Sequence, residues 1–283
     1  MPENLEHATR SAADPDPVYV TVGHGAARRR IAVRRRAATV AGRGLLWLGG
    51  FKSEMDGIKA TALDGFAATQ GRACVRFDYS GHGLSEGAFT DGTVSRWLED
   101  SVAVFDACCR GPQVAVGSSM GGWLALLLAR ELRRRERGRG GGAQGEAASI
   151  AAMVLLAPAV DFTEALMWKR FPDTVKRQIE TTGRWERPSA YAEAPYPITA
   201  GLIEDGRRHL LLGSLIETGC PVRILQGVRD PDVPFGHALE LVSRIARDDV
   251  VLSLIKDGDH RLSRPEDIDR MLRTVAECCD AEV

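Results

Sequence analysis

Three residue types in one order could do chemistry here: a serine between glycines in Gly117-Ser118-Ser119-Met120-Gly121, then Asp230, then His260. A serine hydroxyl becomes a useful nucleophile only when a base removes its proton, and an imidazole does so best when a carboxylate fixes its tautomer. The chemistry would be acyl transfer through a covalent acyl-enzyme. A Gly/Ser-rich connection could show the same five residues by chance, so the flanking sequence decides. Val114-Ala115-Val116 is a short β-branched run, and from Met120 onward the chain is rich in Ala and Leu, which are helix formers. Strand, sharp turn and helix make the G-x-S-x-G nucleophile elbow, with Ser119 at its tip and the Met120 N–H at the first turn of the helix. Side chains at Gly117 or Gly121 would collide with backbone folding back across so tight a turn.

The elements that must position these residues follow the same logic. Gly44-Leu45-Leu46-Trp47-Leu48 is a continuous apolar run, as expected of a strand covered on both faces, and it ends in Gly49-Gly50-Phe51. Enzymes built on such an elbow take a second oxyanion donor from this kind of loop, which makes the Phe51 N–H the candidate beside that of Met120. Residues 56–69 have helical periodicity, and 73–78 read as the next strand, running into Tyr79-Ser80-Gly81-His82-Gly83-Leu84-Ser85-Glu86-Gly87. The spacing G-x-G-x-x-x-G is not a dinucleotide fingerprint. His82 precedes the nucleophile, so the order serine, acid, histidine leaves it structural. A helix over 93–109, strands at 152–157, 222–225 and 250–255, and an edge hairpin from 18–22 and 30–33 complete the framework. Asp230 lies just past its strand, whereas Asp232 is placed to cap the next helix, and Asp259 is disfavoured as the orienting acid.

The chain has 283 residues, 44% of them hydrophobic, enough for one large core. A net charge of −1 supplies no field to recruit nucleic acid or an anionic membrane. No apolar run reaches the ~20 residues that span a bilayer, and the first residues lack a basic-then-apolar leader, so the expectations are no stable membrane insertion and a cytoplasmic location. The six cysteines match neither a zinc nor a redox spacing and read as reduced thiols. Residues 1–16 read as a disordered tail and 17–283 as a single domain, interrupted by a basic, Gly-rich loop at 133–148 and a cap insertion at about 161–213. The arginines at 28–30, 34–36 and 133–139 read as solvated charge, with no nucleic-acid partner. In the insertion strand signals vanish and aromatics gather, which suggests a helical cap whose Trp168 and Trp185 join Phe51 and Met120 in binding substrate.

Leu48-Gly49-Gly50-Phe51, the MDGIKA run from Met55, RFDYSGHGLSEG from Arg76, VGSSMGGWLALLLA from Val116, WERPSAY from Trp185, and GVRDPDVPF followed by GDHRL carry a more specific likeness. Over residues 44 to 275 the chain resembles serine hydrolases of the α/β-hydrolase superfamily, most of all its subfamily of palmitoyl-protein thioesterases and acyl-glucuronide esterases. The resemblance implies a mostly parallel eight-stranded sheet with helices on both faces and a small helical cap. It also implies a Ser119–His260–Asp230 triad, and an ester or thioester of a small molecule or an acylated protein as substrate. Neither a metal nor an organic cofactor is expected, and the chain is expected to be a monomer or homodimer. A non-catalytic binding protein on the same fold, and a carbon–carbon bond hydrolase or acyltransferase using the same triad, are the rival readings.

Overall fold

The computed structural model describes residues 15–138, 148–188, 195–245 and 249–280. Ten strands and seven α-helices occur among them. In chain order the framework is β1 (Val18–Val22), β2 (Arg29–Arg36), β3 (Gly44–Leu48), α1 (Ile58–Thr69), β4 (Cys74–Phe77), α2 (Val94–Cys108), β5 (Pro112–Ser118), α3 (Met120–Gly138) and β6 (Ser149–Leu156). After it come α4 (Asp173–Thr182), β7 (Arg184–Arg187), β8 (Tyr196–Thr199), α5 (Ala200–Gly206), β9 (Val222–Gly227), α6 (Phe235–Arg244), β10 (Val250–Ile255) and α7 (Pro265–Asp280).

Eight strands form one sheet in the order β1-β2-β4-β3-β5-β6-β9-β10. The β1–β2 and β2–β4 pairings are antiparallel, and every pairing from β4 to β10 is parallel. β3 is buried along its whole length because helices cover both faces of the sheet, which is why its sequence is unbroken apolar rather than alternating. One face packs on α2, α3 and the cap through Phe77, Trp97, Phe105, Trp123 and Leu155; the other packs on α1 and α7 through Leu45, Trp47, Leu63, Val154 and Val275. Register aligns the carboxyl ends of the parallel strands: Leu48 sits beside Gly117, Ser118 beside Leu156, Leu156 beside Leu225 and Gly227 beside Ile255. The loops leaving β3, β5, β9 and β10 therefore converge, at the end of a parallel sheet where ligands bind.

Two expectations change. The basic stretch expected to be loop from residue 133 is helical as far as Gly138, because Arg and Glu are good helix formers and Glu131 pairs with Arg134 and Arg135 one turn on. Arg133 and Arg137 both reach Glu217, so the cluster is tied to carboxylates of its own chain. The rest of the expected loop, 139–147, lies outside the described residues, as do 1–14 of the expected tail and Tyr191 of the cap. The cap is also not purely helical. β7 and β8 pair as an antiparallel ribbon, with Trp185 opposite Ile198. Four-residue strands flanked or interrupted by Pro188, Pro195 and Pro197 give no readable alternation in sequence. The insertion is closed at its base by buried Asp161, whose carboxylate accepts from the N–H groups of Leu211 and Leu212 at 2.9 Å each.

All six cysteines are free thiols, five of them buried. Among the described residues no helix is long and apolar enough to cross a membrane.

Candidate active site

The turn between β5 and α3 holds Ser119 in a left-handed conformation, φ 53°, which a non-glycine residue adopts only when its surroundings demand it. Ser119 N–H donates to Leu156 O at 2.8 Å, and its carbonyl accepts from Gly122 and Ala159, so the strained residue is tied on three sides. The glycine requirement is steric. A methyl group on Gly117 would lie 2.5 Å from the Gly121 carbonyl oxygen, and one on Gly121 would lie 2.0 Å from that of Leu48.

His260 comes from the loop after β10. Its Nε2 is 3.0 Å from Ser119 Oγ and its Nδ1 is 2.8 Å from Asp230 Oδ2. With Asp230 accepting, the proton sits on Nδ1 and Nε2 is left to accept from the serine hydroxyl, the tautomer needed for base catalysis. Asp230 is fully enclosed. Its second oxygen accepts from the N–H groups of Asp232 (2.9 Å) and Val233 (2.8 Å), while Gln226 Nε2 reaches Oδ2 at 3.2 Å. These donors compensate a buried carboxylate for lost water and set its orientation. Asp232 does not cap α6, which Pro234 precedes; its carboxylate faces Arg187 at 3.8 Å. Asp259 turns away, accepting from Leu262 N–H at 3.0 Å.

Donor atoms of Asp230, Asp232 and His260 lie within 4.8 Å of one another, the donor set of a metal site. Here, however, Asp230 spends both oxygens on N–H donors and the His260 imidazole, the arrangement of an orienting acid. No other such cluster occurs among the described residues.

Facing Ser119 from the other side is the loop after β3. A methyl group on Gly50 would be 3.5 Å from Ser119 Cβ, which brings the Gly50–Phe51 backbone against that serine. Among the described residues, neither the Phe51 nor the Met120 N–H is taken up by a carbonyl around the site. Phe51's ring is held in an aromatic cluster with Phe89, Trp97, Phe162 and Tyr196, at centroid distances of 5.0 to 5.7 Å.

Above Ser119 opens a cavity of about 530 Å³, within the range of small-molecule sites. Ser119, His260, Phe51 and Met120 line it, with Phe162, Leu166, Met167 and Tyr196 from the cap. Trp168 and Trp185, expected in its wall, are not part of the lining. Trp185 packs edge-on against Phe171 at 5.2 Å, and Trp168 lies under the Arg207 guanidinium at 5.1 Å, so both bind the cap's own elements together. Large aromatics in a small insertion lacking a core of its own are used up in that packing. The residues that took their place, Leu166 and Met167, carry no signal beyond hydrophobicity. Gln226 carries no stronger signal, being one of two polar residues, with Arg223, in an otherwise apolar strand.

His82 lies close to the site without touching Ser119. Burial lowers its pKa to about 4, so the imidazole is neutral at physiological pH. Lys59, on the cavity wall, is lowered by burial to about 8.

A model of the alpha/beta hydrolase family matches residues 41–271. Over 238 residues the chain is 36% identical to the mitochondrial palmitoyl-protein thioesterase ABHD10 of Mus musculus, across 84% of this chain and 75% of that one. Among solved structures, a putative hydrolase from Agrobacterium vitis S4 superposes with a TM-score of 0.88 at 45% identity, over 94% of this chain and 99% of that one. Alpha/beta hydrolase domain-containing protein 10 from mouse superposes with a TM-score of 0.76 at 33% identity, over 92% and 97%.

Proposed function

This chain belongs to the alpha/beta hydrolase family and is a hydrolase, and we propose that it cleaves carboxylic esters and thioesters through a serine acyl-enzyme. The observation that carries the reading is the continuous relay from Ser119 Oγ through His260 (3.0 Å) to Asp230 (2.8 Å), beside a cavity to which Phe162, Leu166, Met167 and Val233 contribute an apolar wall. His260 takes the serine proton as Oγ attacks the carbonyl carbon, and Asp230 stabilises the imidazolium that forms. The tetrahedral oxyanion sits between the Phe51 and Met120 N–H groups, each such donor contributing ~3 kcal/mol to the transition state. His260 then protonates the leaving group, and water repeats the sequence on the acyl-enzyme. A thiolate, with a conjugate acid pKa of about 8.5, leaves with far less help than an amine, so esters and thioesters fit this machinery better than amides.

The acyl group rests against Phe162, Leu166, Met167 and Val233, which favours an apolar chain. An acylated protein, as the mouse relative's name describes, and a small-molecule ester are both substrates of this type. The complete relay disfavours a binding protein without turnover. Pairing of the arginine clusters with Asp56, Asp64, Asp100, Glu131 and Glu217 supports their reading as structural charge rather than a nucleic-acid surface.

Labelling with a fluorophosphonate, read by intact mass, tests the reading against Ser119→Ala, with p-nitrophenyl esters and acyl thioesters run on the same samples. One adduct on the wild type, lost with turnover in the variant, is expected. A folded wild type that takes no label and turns over neither substrate would falsify it.

A further inference from the structure

The proposed oxyanion donor Phe51 is followed by Lys52, whose backbone is left-handed at φ 59°. A non-glycine residue in that region is strained and stays there only if neighbours hold it. One holder is visible. Lys52 N–H donates to His82 Nε2 at 3.0 Å, and His82 Nδ1 is 3.2 Å from Ser80 O. The only tautomer that satisfies both contacts carries its proton on Nδ1 and offers the Nε2 lone pair to Lys52.

The ring cannot turn away. Tyr79, Phe89 and Trp97 meet it edge to face, at centroid distances of 5.7, 5.2 and 5.5 Å. Its acceptor is anchored in turn: Trp97 Nε1 donates to Ser80 O at 3.1 Å, and Ser80 gives its N–H and its hydroxyl to buried Asp100 at 2.9 and 2.7 Å. Two more bonds join the same segments, Tyr79 OH to Gly49 O at 3.3 Å and Met55 N–H to Asp78 Oδ1 at 2.6 Å. Of these contacts, only the His82 bond falls on the residue next to Phe51. On the far side, the Phe51 ring is fixed in its aromatic cluster. The Phe51 N–H therefore lies between a packed ring and a hydrogen-bonded amide.

Resting on the serine hydrolase reading above, we propose that His82 is a positioning residue for the oxyanion hole: its neutral Nε2 holds the Lys52 amide and so aims the Phe51 N–H at the developing oxyanion. His82 moves no proton in the reaction and touches no substrate. Its effect falls on the transition state, because the carbonyl oxygen of a bound substrate needs the donor less than the oxyanion does.

Two variants separate this role from packing. His82→Phe keeps a ring among Tyr79, Phe89 and Trp97 and removes the acceptor, whereas His82→Gln places an amide oxygen near the position of Nε2. On a p-nitrophenyl ester, His82→Phe should lower kcat roughly 10- to 100-fold, less than outright loss of a donor, with KM within about threefold of wild type. His82→Gln should recover to within about fivefold. A trifluoromethyl ketone, which forms a tetrahedral oxyanion on the serine, should lose affinity for His82→Phe in proportion to kcat, and the carboxylic acid product should not. If His82→Phe does not fold, His82→Met takes its place against Gln, being close to it in shape and lacking the acceptor. An active, labelled wild type whose acceptor-free variant matches it in kcat overturns this inference alone, as does an equal loss in the Gln variant. A wild type that neither labels nor turns over overturns the hydrolase reading and this inference with it.

Discussion

The two sides of Ser119 are built by opposite means. On the β9–β10 side, side chains face the serine and backbone holds them: His260 and Asp230 form a hydrogen-bonded chain from its hydroxyl, and the N–H groups of Asp232 and Val233 fix the carboxylate. On the β3–β4 side, backbone faces the serine and side chains hold it: Gly50 and Phe51 lie against Ser119, while His82, Tyr79 and Asp78 secure the loop. The difference teaches where mutation should bite. In the proposed mechanism, a substitution on the first side removes a participant, and one on the second only loosens the aim of a backbone donor that no substitution can delete.

The sharpest break in that contrast is Asp230→Asn. It should lower kcat about 10⁴-fold, because an amide can pair with the other tautomer of His260, while the fold and fluorophosphonate binding geometry survive. A loss of less than tenfold in steady-state turnover would remove Asp230 from the relay. A smaller effect separates two parts of the cap. Met167→Ala, in the cavity wall, should lower kcat/KM for long-chain esters roughly tenfold, since a buried methylene is worth ~0.8 kcal/mol to binding. Trp185→Ala, behind the wall, should leave kcat/KM within about threefold and lower the melting temperature instead. Equal losses in kcat/KM would mean that the cap acts as one unit.

The smallest effect concerns pH. Burial depresses His82 to about 4, below the value of an exposed histidine, so between those two values the unfolded chain binds the extra proton. Stability from the neutral ring is full above about pH 6.5 and is lost as pH falls toward 4. The melting temperature of wild type should therefore drop relative to His82→Gln across that window, measured by calorimetry at matched ionic strength. Parallel curves would mean that His82 is not held neutral.

The first side was more legible in the sequence than the second. Ser119, Asp230 and His260 carry side-chain chemistry at recognisable points past strands, and their order along the chain is itself a signal. On the other side the actors are amides, which every residue has, and their holders are ordinary polar residues; His82 could be set aside as a base, but its link to Lys52 bridges 30 positions and has no local trace. The cap shows the same limit. Its aromatics were visible, yet which of them faced the cavity depended on the β7–β8 ribbon, whose strands are too short and proline-rich to announce themselves.

Sequence by itself determined the strands of the main sheet and the elbow, because apolar runs, helix formers and glycines at a crowded turn act over a few residues. It also pointed to Ser119, Asp230 and His260 as the candidate relay, since few residue types can attack, shuttle a proton and orient a base. Only the tertiary structure decided that β3, β5, β9 and β10 end in register, that Phe162, Leu166 and Met167 rather than Trp168 and Trp185 wall the cavity, and that His82 holds the loop after β3. Those outcomes rest on contacts between segments far apart in the chain, where burial and hydrogen-bond satisfaction are settled by packing the whole and not by any stretch of it.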